Sequence, residues 1–173
     1  MILKEELFDK LDEGTKNHSL RVANLSKKIA ESLNISSSNR IYEIAKFHDI
    51  GKLKIDPKVL FKPDRLTTEE FEIIKQHPKL GIELIQDYFG TDDLKSILYH
   101  HENVDGSGYY GITKIPIAAK IIRVADVYDA LTSTRCYKDA YNKEDALFMM
   151  SHNIGTQFDQ KIFEKFLKII VNQ

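Results

Sequence analysis

Apolar residues at helical spacing, with imidazoles where the apolar faces end, constrain this chain more than any other feature. From Lys16 to Leu33, His18, Val22, Leu25, Ile29 and Leu33 fall three or four residues apart, on one side of a helix. A second stripe, Ile41, Ile44, Ala45 and His48, follows the serine cluster at 36–38. No run alternates cleanly with period two. "VADVY" is apolar enough for a strand, but Ile122, Ala125, Asp126, Asp129 and Ala130 fit a helix face better. The pattern predicts an all-α chain of roughly six to eight helices.

The punctuation divides the rest. Gly51, Pro57 and Pro63 interrupt residues 49–66, which read as loop with at most a short turn. Thr67 and Glu70 stand at capping-box spacing, and the helix they open bends or restarts at Pro78. Asp92 and Asp93 suit a first helical turn leading through Leu94, Ile97 and Leu98 to His100 and His101. Further helices are expected from near Pro116, from about Asn142 and from about Asp159. With 173 residues and no dividing linker, one domain with one core is expected, residues 1–15 forming either a leading helix or a linker.

A net charge of -1 gives no basic surface for polymeric nucleic acid, so any grip on phosphate must be local. One cysteine, Cys136, excludes an internal disulfide and suits a reducing, cytoplasmic setting. The first residues do not read as a signal peptide, and no run approaches the length of a membrane span, so no membrane contact is expected.

Five of the six histidines, His18, His48, His77, His100 and His101, lie where apolar helical faces run out or meet loops. Any one of them alone would read as a boundary residue. Together with Asp49 and Asp126, directed to one interior, they would be costly unless paired or bound to metal. A mixture of imidazole and carboxylate suits divalent transition ions. Two ions need roughly eight to twelve ligand positions, and these residues supply most of them. Adjacent pairs, His48 with Asp49 and His100 with His101, could serve neighbouring ions. His152 stands apart, in a structural or surface role. Lys52, one turn after His48, and Arg135 and Lys138, after the Asp126 helix, could hold phosphate oxygens. The chemistry that fits is phosphate-ester hydrolysis, with paired ions ionising a water.

The segments "HDIGK" at 48–52, "KPDRLTTEE", the "HP" at 77–78, "HHENVDGSGYYG" at 100–111, "ADVYDALTSTRCYK" and "GTQFD" at 155–159 together strongly resemble the HD-GYP family of the HD phosphohydrolase superfamily. The resemblance runs from about His18 to Phe166. It implies an all-helical bacterial HD-type domain around a buried metal site, hydrolysing cyclic di-GMP or a related cyclic dinucleotide to linear pGpG and, in some members, GMP. It implies iron or manganese, held by His18, His48, Asp49, His77, His100, His101 and Asp126, with Asp49 bridging. It gives Asp49 and Lys52 catalytic roles, and Lys52, Arg135 and Lys138 phosphate contacts. Sensory, receiver or GGDEF-type domains are the implied partners.

Two departures from the family pattern stand out. Three-metal members carry a glutamate one turn before the first histidine, where this chain has Gly14, so a two-metal site is expected. The family's signature proline is Tyr110, which is expected to relax the loop. Glu102 and Asp105 are expected to shape that loop or support the ligands. The alternatives are a mononucleotide phosphohydrolase of the broader HD class, with a closed pocket, and a weakly active signalling or protein-binding module.

Overall fold

The structure, a computed structural model, describes residues 3–134 and 140–172. These form ten α-helical segments and one 3-10 turn: α1 (Lys4–Asp9), α2 (Glu13–Ser32), α3 (Ser38–Lys46), the 3-10 turn Ile50–Lys54, α4 (Pro57–Leu60), α5 (Thr68–Ile74), α6 (His77–Ile85), α7 (Thr91–Leu98), α8 (Ile117–Thr132), α9 (Lys143–Ser151) and α10 (Gln160–Val171). The all-α class read from periodicity is the one observed. Segments beyond the expected number are short pieces, α1 and α4, and the break that separates α5 from α6 at His77. Among the described residues, the β-type pairing is a single isolated bridge, Ile154 with Phe158.

The boundaries follow capping chemistry. Asp12 accepts from the Thr15 N–H and opens α2. That helix ends in a Schellman turn. Asn34 takes a positive φ of 57°, and the Asn34 and Ile35 amides bond the Glu31 and Ala30 carbonyls. Thr67 and Glu70 close the reciprocal box that starts α5. Asn142 and Asp159 cap α9 and α10.

α2 packs against α3 and α8, and α8 also meets α7, α9 and α10. Val22, Ile29, Ile44, Ile121, Ile122 and Phe166 belong to one continuous buried cluster. α1 joins it through Phe8, edge-on to Phe47. Ion pairs from Lys4 to Glu43 and from Lys46 to Glu5 bind α1 to α3. Lys4–Asp9 is therefore a helix packed on the core. Among the described residues no helix is long and apolar enough to cross a membrane.

The 3-10 turn lies against α6 at a contact that leaves no room for a side chain. A Cβ on Gly51 would sit 1.8 Å from the His77 carbonyl oxygen and 2.5 Å from the Gly81 nitrogen. Glycine at 51 thus lets the turn carrying Asp49 and the helix carrying His77 approach each other.

Candidate metal centre

The imidazoles of His48, His77 and His100 are held in one recurring way. Each ring follows the last turn of a helix, where backbone carbonyls lack intrahelical partners. Nδ1 of His48 donates to Ala45 O at 2.6 Å, that of His77 to Ile74 O at 2.7 Å, and that of His100 to Ile97 O at 2.6 Å. With Nδ1 donating, Nε2 of each neutral ring is a bare acceptor. His18 lies inside α2, where the carbonyls are used by the helix. Its Nδ1 instead meets Asp129 at 2.7 Å, and Asp129 in turn accepts from the Arg21 guanidinium.

The inward atoms converge. His77 Nε2 and His100 Nε2 stand 3.3 Å apart, and His77 Nε2 lies 3.3 Å from an Asp49 oxygen. The other Asp49 oxygen is 3.5 Å from His48 Nε2, 3.7 Å from His18 Nε2 and 2.5 Å from the Lys52 ammonium. His18 Nε2 is 3.1 Å from Asp126. Three sets of donors each lie within 4.8 Å of one another: His77, His100 and His101; His18, His48 and Asp126; His48, Asp49 and His100. Between them they contain all seven residues expected as ligands.

The donor set fits a divalent cation for a specific reason. Acceptors face acceptors, and His48 Nε2 is fully buried with no hydrogen-bond partner among the described residues. Around His48, His77 and His100 these acceptors have no proton or positive charge between them. Electrostatics agree. Burial pushes the Asp49 carboxyl up, but Lys52 and the surrounding imidazoles outweigh it and hold Asp49 ionised, well below the usual carboxylate range. Asp126 is likewise held low, against burial, by its bond to His18. Burial lowers His77 to about 4 and His101 to about 3, leaving both neutral and able to ligate. Burial also opposes charge on His18, but bonds to Asp126 and Asp129 raise it to about 9, so a metal there displaces a proton.

The remaining residues divide. Lys52 stands beside Asp49 and lines the cavity of about 280 Å³ that also contains His18, His77, His101 and Asp126. A second cavity, of about 350 Å³, shares His18 and Lys52 with it and runs past Gly14 and Arg21. Gly14 is exposed, and Glu13 points away to pair with Lys16. His152 is exposed at the surface. Arg135 and Lys138, expected to contact phosphate, lie outside the described residues.

Three supporting residues carry no sequence signal of their own. Asp129 and Arg21 each sit one turn beyond a candidate ligand on its own helix, a spacing indistinguishable from an ordinary polar face. Arg123, one turn before Asp126, lies 3.3 Å from His101 Nδ1 and donates to Asn103 at 3.1 Å, tying α8 to the loop. His101 therefore presents Nδ1 to a guanidinium rather than to a carbonyl.

The loop at 102–112 is built around Glu102. Glu102, 2% exposed, accepts from the Tyr110 amide at 2.7 Å and the Ile112 amide at 2.8 Å, one on each oxygen. A proline at 110 has no N–H to give. Tyr110 therefore adds an anchor where loss of the proline suggested a looser loop. Tyr109 stacks on His101, with centroids 4.5 Å apart, and so lies over the metal cavity. Tyr110→Pro is expected to cost about 1 kcal/mol. A hydrogen bond to a charged group is worth ~1.5–3 kcal/mol, and the stiffer chain returns up to ~1 kcal/mol. Urea unfolding checks it; an unchanged midpoint would show the Glu102 bond to be energetically idle.

An all-helical domain that gathers histidines and aspartates from separate helices and turns into one buried candidate cation site has the architecture of an HD domain. The HD domain family profile matches residues 2–162. The chain is 39% identical over 165 residues to the cyclic di-GMP phosphodiesterase response regulator RpfG of Xanthomonas campestris, covering 91% of this chain and 44% of that protein. It is 38% identical over 169 residues to the cyclic di-GMP phosphodiesterase of Thermotoga maritima, covering 91% and 45%. The HDG"Y"P protein Bd1817 from Bdellovibrio bacteriovorus has a similar fold. Its TM-score is 0.73 at 19% identity, over 98% of this chain and 58% of that one. The chain belongs to the HD-domain family. It spans less than half the length of the two curated relatives.

Proposed function

We propose that the chain is a metal-dependent cyclic dinucleotide phosphodiesterase that opens cyclic di-GMP to linear pGpG, with GMP as a further product. The observation that carries this reading is the convergence of seven ligand-type side chains on one buried, acceptor-rich site. The cyclic di-GMP names of the relatives at 39% and 38% identity support the choice of substrate. Two adjoining cavities also favour an extended ligand over the mononucleotide of the alternative reading, which calls for one closed pocket.

His18, His48, Asp49, His77, His100, His101 and Asp126 would hold two divalent ions, iron or manganese, with Asp49 shared. When bound, the ions supply Lewis acidity and a water ionised near neutral pH. Hydrolysis forms a bond from water oxygen to phosphorus and breaks one phosphorus–ribose 3′-oxygen bond, the 3′-oxygen taking a proton. The Lys52 ammonium, on a residue that lines both cavities, balances charge on the phosphoryl oxygens. Arg135 and Lys138 are assigned further phosphate contacts from the sequence motif. The chain acts as one catalytic domain, 1–173, coupled to sensory, receiver or GGDEF-type partners.

The test is to purify the chain without chelator and measure its metals. It is then incubated with cyclic di-GMP, and separately with cyclic GMP-AMP, in the presence of Mn(II) or reduced iron. Fewer than one ion per chain after reconstitution, with no linear product from either, would sink the proposal. Lys52→Ala is expected to keep the ions and lower turnover about 100-fold, the loss typical of one charge-stabilising group. Loss of metal in that variant would make Lys52 structural instead.

A further inference from the structure

We propose that Arg21 and Asp129 are positioning residues that make the ion held by His18 the tighter of the two, so that it binds first. This rests on the metal reading above and extends it to an order of filling.

The inference comes from a difference among the histidines. His48, His77 and His100 are oriented by neutral backbone carbonyls. The His18 Nδ1 is oriented by a carboxylate, at 2.7 Å. A carboxylate partner fixes the tautomer so that Nε2 faces the ion, and it makes the imidazole a stronger donor than a carbonyl partner does. Asp129 is itself fixed at both oxygens. One accepts from Arg21 Nε at 2.6 Å, and the other accepts from Arg21 Nη2 at 2.9 Å and from His18. This two-pronged grip defines the plane of the carboxylate. Ser133 steadies the guanidinium by accepting from Nη2 at 3.0 Å.

The arrangement crosses the molecule. His18 and Arg21 stand one turn apart on α2, and Asp126 and Asp129 one turn apart on α8. The upper pair, His18 with Asp126, faces the site at 3.1 Å, and the lower pair, Arg21 with Asp129, locks the helices beneath it. Among the described residues no carboxylate comes within hydrogen-bond distance of the His101 Nδ1, which meets the Arg123 guanidinium at 3.3 Å and stands 4.0 Å from Asp126. The set His18, His48 and Asp126 therefore combines a carboxylate with a carboxylate-backed imidazole, whereas His77, His100 and His101 offer imidazoles alone.

Titration of the metal-free chain with Mn(II), followed by calorimetry and by the electron paramagnetic resonance of bound manganese, tests this. The wild type is expected to bind two ions in separable steps. Asp129→Asn, which keeps shape but loses charge, should weaken the tight step about 10- to 100-fold and leave the weak step unchanged. Arg21→Gln, at a half-exposed side chain whose loss leaves the core intact, should weaken the same step by a smaller factor, about tenfold. A purely structural role would move the unfolding midpoint without selecting one step. Wild-type affinity for the tight ion in either variant overturns the inference, as does equal weakening of both steps. A wild-type chain that binds no manganese would overturn the metal reading itself, a distinguishable result.

Discussion

Asp49→Ala is expected to strip the chain of its ions and to lower turnover by more than about 100-fold, the upper end of what losing a merely supporting contact costs at a metal site. Asp49 has one oxygen near His77 and the other near His48, His18 and Lys52. Its position between the histidine sets suits a shared ligand. Its charge matters as much. Without it the seven-residue set retains one carboxylate, Asp126, and two dications would sit among neutral rings, at a high cost in a buried site. Asp49→Asn keeps the volume and removes the charge, so it separates the two contributions. Metal analysis of the purified variants and hydrolysis of cyclic di-GMP provide the measurement. Wild-type metal content in Asp49→Ala would show that Asp49 does not bridge. Retained ions in Asp49→Asn alone would show that shape, not charge, is what the position supplies.

Much of the architecture was legible because it depends on local patterns. The stripe through His18, Val22 and Ile29 is the buried face of α2, and Thr67 with Glu70 is a formed capping box. Gly51 and Pro57 mark a segment that is mostly turn, although its short 3-10 and α4 pieces were not separable from loop by periodicity. The candidate ligands were visible for a physical reason. An imidazole placed just past a helix end can use a terminal carbonyl and aim its other nitrogen inward, as His48, His77 and His100 do, so these candidate ligands fall where apolar stripes stop. What the sequence hides is support across long separations. Asp129 meets Arg21 from 108 residues away, and each looks locally like a solvated charge at helical spacing. Glu102 shows the same limit from the other side. Its acidity is plain, but that both oxygens hold loop amides depends on how residues 103–112 fold back.

Gly51→Ala is expected to be the most disruptive change that replaces no proposed ligand. The added methyl carbon would lie 1.8 Å from the His77 carbonyl oxygen and 2.5 Å from the Gly81 nitrogen, both backbone atoms that no rotamer change can move. Overpacking a core typically costs ~1–3 kcal/mol when side chains can adjust. Here the 3-10 turn and α6 must separate, so the expected loss is about 3 kcal/mol or more. Gly14→Ala is the matched comparison. Its methyl would meet only the Asp12 carboxylate oxygen, at 3.1 Å, and a helical alanine returns up to ~1 kcal/mol relative to glycine, so its stability should change little. Urea unfolding of the metal-free variants measures both. The same separation would pull His77 away from Asp49, which now lies 3.3 Å from it. Gly51→Ala should therefore also weaken Mn(II) binding, even under conditions where it remains folded. A variant that loses stability yet binds manganese like the wild type would show that the glycine contact serves the fold without setting the spacing of the site.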